Sequence, residues 1–130
     1  MKDYTKWTPI KAHLNNQNSI PAGYHESEIW LCHLGENMGF EQDGAGEKFV
    51  RPVLVLKIYN RSFCHVVPLS TTEKRDRFSY AFDGNTGKTS VALLTQSRPI
   101  SSARLIRIIG SAGPADVQNI KDGIRRTLGL

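Results

Sequence analysis

Six short segments rich in branched and aromatic residues recur along the chain from Glu28 onward, with turn-forming residues between them. Short strands that follow one another at this spacing are typical of all-β barrels and sandwiches. The expected strands cover residues 28–34, 53–59, 63–69, 78–82, 90–94 and 104–109. The pattern therefore predicts one small, mostly β domain of the barrel type.

A short helix is predicted near the N-terminus, where Thr8 provides a helix cap and Pro9 suits the first helical position. Polar turn formers separate this helix from the first strand. We therefore expect residues 1–27 to form an N-terminal extension and residues 28–130 to form the barrel domain.

A longer amphipathic helix is predicted at the C-terminal end of the chain. It starts at Pro114 and ends before Gly129, and four apolar residues inside it follow helical spacing: Val117, Ile120, Ile124 and Leu128. Gly123, in the interior of this helix, costs about 1 kcal/mol relative to alanine. Packing of the helix on the barrel must offset this cost.

The charge and hydropathy of the chain limit its class and its partners. Seventeen Lys and Arg residues against twelve Asp and Glu residues give a formal net charge of +5, which favours a polyanionic partner without identifying one. No apolar run approaches the ~20 residues that cross a bilayer, and the N-terminus does not resemble a secretory signal. We expect a soluble protein of the cytoplasm with no membrane partner.

Cys32 and Cys64 each lie inside an apolar strand segment, and each is followed by a histidine. In a reducing cytosol such cysteines remain free and buried. Neighbouring residues of a strand point to opposite faces, so one metal ion does not readily bind both members of such a Cys-His pair. We expect two buried thiols, no bound metal and no other cofactor.

The most informative part of the sequence is the hairpin from Arg51 to Thr72, whose two strands meet in a turn around Arg61. Counting outward equally from Arg61 places Arg51 opposite Thr71 and beside Ser70. A guanidinium group offers a rigid fork of donors that fits two phosphate oxygens. When the 2′-hydroxyl of RNA attacks the phosphorus, fixed donors of this kind stabilise the developing charge without a metal. From the hairpin alone, a structural bond between Arg51 and the hydroxyl-rich turn is an equal alternative.

Several motifs follow one another along the chain: Ile29-Trp30, Gly39-Phe40-Glu41-Gln42, Arg51-Pro52-Val53-Leu54-Val55-Leu56, Val67-Pro68-Leu69-Ser70-Thr71, the segment from Arg104 to Gly110, and the C-terminal helix. In this order they resemble the MazF/PemK toxins of bacterial toxin–antitoxin pairs. The resemblance implies an SH3-like barrel, a homodimer and a cognate antitoxin. It also implies a metal-independent, sequence-selective endoribonuclease that cuts single-stranded RNA to 2′,3′-cyclic phosphate and 5′-hydroxyl ends.

By this resemblance Arg51 is the catalytic arginine, and Ser70 stands where these toxins usually have a catalytic threonine. Thr71 and Glu41 are expected to support the transition state. The expected RNA contacts combine basic, amide and aromatic side chains: Phe40, Gln42, Lys48, Lys74, Arg75, Arg77, Gln96 and Arg98. An ion pair at a strand end accounts equally well for Arg98.

Three positions depart from the family pattern. Phe40 stands where many PemK-like toxins have histidine, and Thr95 stands where an acidic residue often precedes the glutamine. Ser70 keeps the hydroxyl of threonine but lacks its methyl group. These changes leave the general base unassigned, and His65, which lies in mid-strand, fits a structural role better than that of a base.

Two other functions remain open from the sequence. The CcdB gyrase poisons share the barrel but act through a tryptophan near the C-terminus, whereas residues 125–130 of this chain include no aromatic side chain. The departures from the family pattern also suit a degenerate member that binds an antitoxin or RNA without cleaving RNA.

Overall fold

The computed structural model describes residues 23–34, 50–72 and 77–130. Within these ranges seven strands and one α-helix follow in the order β1 (Glu28–His33), β2 (Val50–Asn60), β3 (Phe63–Ser70), β4 (Ser79–Asp83), β5 (Thr89–Leu93), β6 (Arg98–Ser101), β7 (Leu105–Ser111) and α1 (Pro114–Thr127). The sheet has the strand order β4-β5-β3-β2-β1-β7, and β6 pairs with β3 outside this path. The predicted mostly β, barrel-like fold with a C-terminal helix is confirmed.

Strands β1, β2 and β3 form the centre of the sheet, and both of their faces are covered. Leu54 and Leu56 of β2 pack on one side, while Val53 and Val55 pack on the other, because successive strand residues point to opposite faces. All four are buried. The continuous apolar run in the sequence therefore reflects a strand buried on both faces rather than one with a solvated side.

The first core lies between the sheet and α1. Its buried members come from five strands, the turn after β5, the residue after β7 and the helix: Ile29, Leu54, Leu56, Val67, Leu69, Phe82, Ala92, Leu94, Ala112, Val117 and Ile120. Of the four residues in the predicted helical stripe, Val117 and Ile120 enter this core and Ile124 packs against it partly buried. Leu128 does not join them, because the helix ends at Thr127 and this side chain is 66% exposed. Gly129 adopts the left-handed conformation just beyond the helix end.

Gly123 lies where α1 meets the 3-10 turn at Leu94–Gln96. A Cβ atom at Gly123 would lie 2.8 Å from Cδ1 of Leu94, so the glycine lets the helix approach the turn. Nearby, the Tyr80 hydroxyl donates to Oδ1 of Asp116 at 2.7 Å and accepts from Nδ2 of Asn119 at 3.0 Å. These contacts supply the packing that offsets the loss of helix stability caused by Gly123.

The second core lies on the opposite face of the central strands. It contains Tyr24, Trp30, Cys32, Leu34, Val53, Val55, Cys64, Val66, Ile100 and Leu105. At one end, the buried Ser102 donates its hydroxyl to the carbonyl of Arg61 at 2.7 Å, which ties the β2–β3 turn to the 3-10 turn Ser102–Arg104. The crossover from β6 to β7 is thereby fixed against this core.

The sequence pattern does not predict β6, although it finds the other six strands. This strand has only four residues, and its second residue is Pro99, a residue that is rare inside strands. Because β6 pairs only with β3 among the described strands, Pro99 can lie in it without interrupting a ladder on its other side. The predicted helix at Thr8 lies outside the described residues. No helix in the described part of the chain is long and apolar enough to cross a bilayer.

We expect Gly110→Ala to destabilise the fold, because β7 approaches the β4–β5 turn closely at this residue. A Cβ atom on Gly110 would collide with the backbone oxygen of Gly84. Overpacking of this kind costs about 1–3 kcal/mol, so the midpoint of urea unfolding should fall at an unchanged slope. Gly113→Ala, where a Cβ meets open space, is the control, and it should lose only the smaller N-cap preference for glycine over alanine. An equal loss of stability in both variants would contradict the close approach.

Candidate active site

Arg51 is the second residue of β2 and lies at the end of the central sheet. It pairs with Cys32 of β1, and residues directly opposite each other in an antiparallel pair project from the same face. Cys32 is fully buried in the second core, whereas Arg51 is half-buried. The register therefore places Arg51 at the rim of the second core.

Ser70 is the last residue of β3 and lies level with Arg51. The β2–β3 ladder ends at the pair formed by Val53 and Pro68. Two residues further along the two strands are Arg51 and Ser70, and both share the face of that pair because strand side chains alternate with a period of two. A guanidinium-bearing residue and a hydroxyl-bearing residue thus occupy one face of neighbouring strands.

This register differs by one residue from the count based on the sequence, which places Thr71 opposite Arg51. Two register shifts interrupt the ladder, one after Val55 and one after Ile58. A bulge adds a residue to one strand that has no partner in the other. Equal counting from the turn therefore overshoots by one residue on β3.

The Ser70 hydroxyl is oriented by the backbone that follows it. Its Oγ accepts a hydrogen bond from the Thr72 amide at 3.0 Å, as serine side chains commonly do in turns. A hydroxyl that accepts one bond can still donate its proton. Thr71 is exposed in the bend after β3. The end of β3 therefore presents two hydroxyl side chains in succession.

Arg98 approaches the same rim from β6. It lies opposite Val66, which belongs to the second core. Because Val66 and Ser70 lie four positions apart along β3, Arg98 shares the face of the sheet with Ser70. This predicted RNA contact is therefore on the correct face for the site.

Arg104 reaches the rim through the crossover after β6. Its Nη1 donates to the carbonyl of His33 at 3.1 Å, and the next residue, Leu105, pairs with Cys32. Sequence reasoning does not single out Arg104, because without β6 nothing indicates that this segment returns to Cys32. The sequence offers two signals: Arg104 begins the motif from Arg104 to Gly110, and it belongs to the basic run Arg104-Leu105-Ile106-Arg107.

The charges of two of these arginines affect the pKa of the Cys32 thiol. Burial raises its pKa to about 12, although the positive charges of Arg104 and Arg98 act in the opposite direction. Arg51 is the register partner of the same residue. Three guanidinium-bearing residues therefore converge on one end of the second core, where a polyanion would meet concentrated positive charge.

Arg77 and Gln96 lie on the β4–β5 side of the site. The Arg77 guanidinium is 5.5 Å from the centre of the Phe78 ring, and the Phe78 carbonyl accepts from the Leu94 amide at 3.0 Å. This bond brings the segment of Arg77 to the 3-10 turn that contains Gln96. The two predicted RNA contacts are thus at neighbouring positions, beside the strand that pairs with Ser70.

The structure describes six of the predicted site residues. Arg51, Ser70 and Arg98 share the face of the second core, Thr71 lies in the exposed bend after Ser70, and Arg77 and Gln96 lie beside β5. The other six lie outside the described residues: Phe40, Glu41, Gln42, Lys48, Lys74 and Arg75.

His65 has surroundings that favour the predicted structural role. Burial lowers the pKa of its imidazole, which favours the neutral ring. The ring meets Tyr59 edge-on with centroids 6.4 Å apart, and Nδ1 lies 3.5 Å from the Tyr59 hydroxyl. Lys57 and Pro99 are its register partners. His65 thus lies towards the turn end of the hairpin rather than beside Ser70.

Cys32 and Cys64 are free and buried, as predicted. Their following histidines are more accessible than the thiols, which agrees with the alternation of faces along each strand. Across residues 23–34, 50–72 and 77–130, no three His, Cys, Asp or Glu side chains are grouped so as to hold a metal ion.

Comparison with known proteins identifies the family. The family model described as PemK-like, MazF-like toxin of type II toxin–antitoxin system matches residues 25–128. The chain therefore belongs to the PemK/MazF family of toxins. A search of curated protein sequences found no significant match.

Solved structures share the fold at low sequence identity. The Mycobacterium tuberculosis toxin MazF-mt6 is 20% identical, with a TM-score of 0.61 over 79% of this chain and 97% of that chain. MazF from Deinococcus radiodurans is 20% identical, with a TM-score of 0.67 over 85% and 98% of the two chains. A mycobacterial endoribonuclease in complex with its cognate antitoxin is 17% identical, with a TM-score of 0.63 over 83% and 97%. These likenesses establish the fold.

We expect both thiols to resist modification in the folded protein. Burial raises the pKa to about 12 for Cys32 and to about 11 for Cys64, which lowers the thiolate fraction at pH 8 by on the order of 10²–10³ relative to an ordinary thiol. Ellman's reagent should therefore react within minutes only in guanidinium, where the same protein serves as the unfolded control. Rapid labelling of the folded chain would show that the second core is not closed.

Proposed function

We propose that this chain is the toxin of a type II toxin–antitoxin system and acts in the cytoplasm as a metal-independent, sequence-selective endoribonuclease on single-stranded RNA. The proposal rests on the register of β2 and β3, whose last pair is Val53 and Pro68. Continued by two residues along each strand, this register puts Arg51 and Ser70 at matching positions on one face. Family membership and a structural neighbour described as an endoribonuclease add support.

In the proposed reaction, the 2′-oxygen of one nucleotide attacks the neighbouring phosphorus. The new bond between phosphorus and the 2′-oxygen forms as the bond to the 5′-oxygen breaks. The 2′-hydroxyl gives its proton to a base, and the departing 5′-oxygen takes up a proton. The products are a 2′,3′-cyclic phosphate and a 5′-hydroxyl, and this step consumes no water.

Arg51 and Ser70 stabilise the phosphoryl group during this step. The Arg51 guanidinium donates to two non-bridging oxygens as a fork, and the Ser70 hydroxyl donates to one of them. Donors fixed before the reaction stabilise developing negative charge without reorganisation, and a fully charged guanidinium supplies the positive charge that a metal ion supplies in other nucleases. In this proposal Thr71, the next residue, supplies a further hydroxyl donor, and Glu41 is the proton acceptor.

The remaining site residues bind the RNA on either side of the cleaved bond. Arg98 and Arg77 contact phosphates, together with Lys48, Lys74 and Arg75. Phe40 stacks on an unpaired base, and Gln42 and Gln96 read base edges through hydrogen bonds, as single-stranded RNA recognition commonly requires. In this arrangement the cations contribute most of the binding energy. The amide and aromatic groups provide the sequence selectivity.

We further propose that the chain forms a homodimer and is held by a cognate antitoxin. One mycobacterial neighbour is described in complex with its cognate antitoxin, and Deinococcus MazF is described in complex with MazE. The net charge of +5 complements an acidic antitoxin segment. Residues 28–130 form the toxin domain in this proposal, and residues 1–27 form an extension of it.

We expect Arg51→Ala to lower the cleavage rate by on the order of 10²–10³, by analogy with the loss of one oxyanion donor. RNA binding should fall much less, since other cations remain. The assay is single-turnover cleavage of a fluorescent oligonucleotide in EDTA, with circular dichroism to confirm folding. Arg61→Ala, in the exposed turn at the other end of the hairpin, is the matched control. Parental cleavage by folded Arg51→Ala would show that the site is elsewhere.

Ser70 provides a second arm of the same experiment. Ser70→Thr should cleave at close to the parental rate, because the hydroxyl and its bond to the Thr72 amide are retained. Ser70→Ala should be impaired. The double alanine variant at positions 51 and 70 should be less impaired than the two single effects added together, since both groups act on one phosphate. Simple additivity would assign the two residues to separate functions.

The proposed binding of phosphates should appear in the salt dependence of RNA affinity. Replacing Lys74, Arg75 and Arg77 by alanine should reduce the slope of log K against log salt by roughly 0.7 for each phosphate that is no longer neutralised on single-stranded RNA. The measurement is fluorescence anisotropy with an oligonucleotide that carries a 2′-deoxy block at the cleaved position. A slope unchanged from that of the parent would assign these residues to a solvated face.

A further inference from the structure

The turn end of the β2–β3 hairpin and strand β6 form one continuous piece of sheet. Strand β3 lies in the middle and pairs with β2 on one side and with β6 on the other. Phe63 and His65 flank Cys64, a residue of the second core, so they project from the opposite face of the sheet. Further along β3 the same face carries Val67 and Leu69 into the first core. The hairpin end of this face is therefore a continuation of the surface that α1 covers.

Seven side chains belong to this end of the sheet, and most of them are open to solvent. The residues directly opposite Phe63 and His65 on the neighbouring strands share their face, because antiparallel partners project from the same side. Tyr59 joins them through contacts with both rings. We call this set the hairpin face, in which His65 is half-buried and the others are exposed: Lys57, Tyr59, Asn60, Phe63, His65, Pro99 and Ser101.

Two aromatic rings provide most of the apolar surface of the hairpin face. Tyr59 is 52% exposed and Phe63 is 42% exposed. Their ring centres are 5.7 Å apart, and the ring planes are inclined at 36°. His65 meets Tyr59 edge-on, and its Nδ1 lies 3.5 Å from the Tyr59 hydroxyl. These contacts restrict the two rings while about half of their surface remains available to a ligand.

The charge of the hairpin face favours an anionic ligand. Lys57 is the register partner of His65 and is exposed, and none of the seven members is acidic. Glu26 contacts the same strand, where its Oε2 accepts a hydrogen bond from the Ile58 amide at 2.8 Å. Backbone amides of a strand point along the sheet, so this carboxylate lies at the edge of β2 rather than over the rings.

We propose that the hairpin face binds a segment of single-stranded nucleic acid by base stacking. Bases stack on the rings of Tyr59 and Phe63, and Lys57 contacts a neighbouring phosphate. Sheet faces that carry exposed aromatic rings bind single strands in this way in RNA-recognition domains and OB folds. The inference goes beyond the proposed cleavage site, since Ser70 lies roughly 20 Å from Phe63 along β3, at ~3.3 Å per residue, and on the other face. It stands if the proposed cleavage activity fails.

The test is fluorescence anisotropy with labelled twelve-nucleotide oligothymidylate, which the proposed reaction cannot cut because DNA has no 2′-hydroxyl. Tyr59→Ala combined with Phe63→Ala should weaken binding at least tenfold, since both stacking surfaces are lost. Tyr59→Phe combined with Phe63→Tyr keeps both rings and should bind within twofold of the parent. Leu128→Ala combined with Leu130→Ala truncates two other exposed apolar side chains and should also have less than a twofold effect. Circular dichroism confirms that each variant is folded.

Two modified oligonucleotides locate the contact and separate stacking from charge attraction. An abasic oligomer of the same length keeps the phosphates but has no bases, and it should bind at least tenfold more weakly. Oligothymidylate with 5-iodouracil at one position should cross-link to Tyr59 or Phe63 on irradiation, as mass spectrometry of the peptides would show. Equal binding of the abasic oligomer, cross-links confined to other residues, or unchanged affinity of the double alanine variant would overturn the proposal. So would light scattering in which that variant converts a dimer to a monomer, since this result assigns the hairpin face to a second copy.

Discussion

Burial of β2 on both faces is the constraint on which the rest of this molecule depends. Since Val53, Leu54, Val55 and Leu56 all lie in cores, the middle of the strand has no face on which a polar group can meet a ligand. Chemistry is therefore confined to the ends of the central strands. Arg51 occupies one such end, and the two cores that flank β2 hold it in a fixed relation to the end of β3.

Local patterns predict most of the fold, because the forces that set them act within a few residues. Turn signals and branched residues locate six strands, and the spacing of Val117 and Ile120 locates the helix that closes the first core. Strand β6 is not predicted because it contains Pro99, and because it forms by pairing with β3, more than thirty residues earlier in the chain. The two register shifts of β2 are likewise not predicted, since no glycine or other distinctive residue marks them in the sequence.

The candidate site shows the same division between local and long-range information. The hairpin alone brings Arg51 and Ser70 together, so their proximity follows from sequence with an error of one residue in register. Arg104 reaches the rim only through the β6 crossover and the pairing of Leu105 with Cys32. No periodicity in the sequence predicts that Leu105 pairs with Cys32. The resemblance to known toxins orders the motifs, but the convergence of three arginines on Cys32 is visible only in the folded chain.

The pairing of β1 with β7 also bears on how the chain is made. Glu28 and Ser111 are partners although they lie about 80 residues apart, and closing so long a loop delays their contact relative to the local β2–β3 hairpin. On the ribosome, a nascent chain can form that hairpin while β7 is still inside the exit tunnel. Arg104 and Leu105 can reach Cys32 only after the chain has emerged from the tunnel as far as β7. The positively charged rim is therefore completed only after the central hairpin has had time to form.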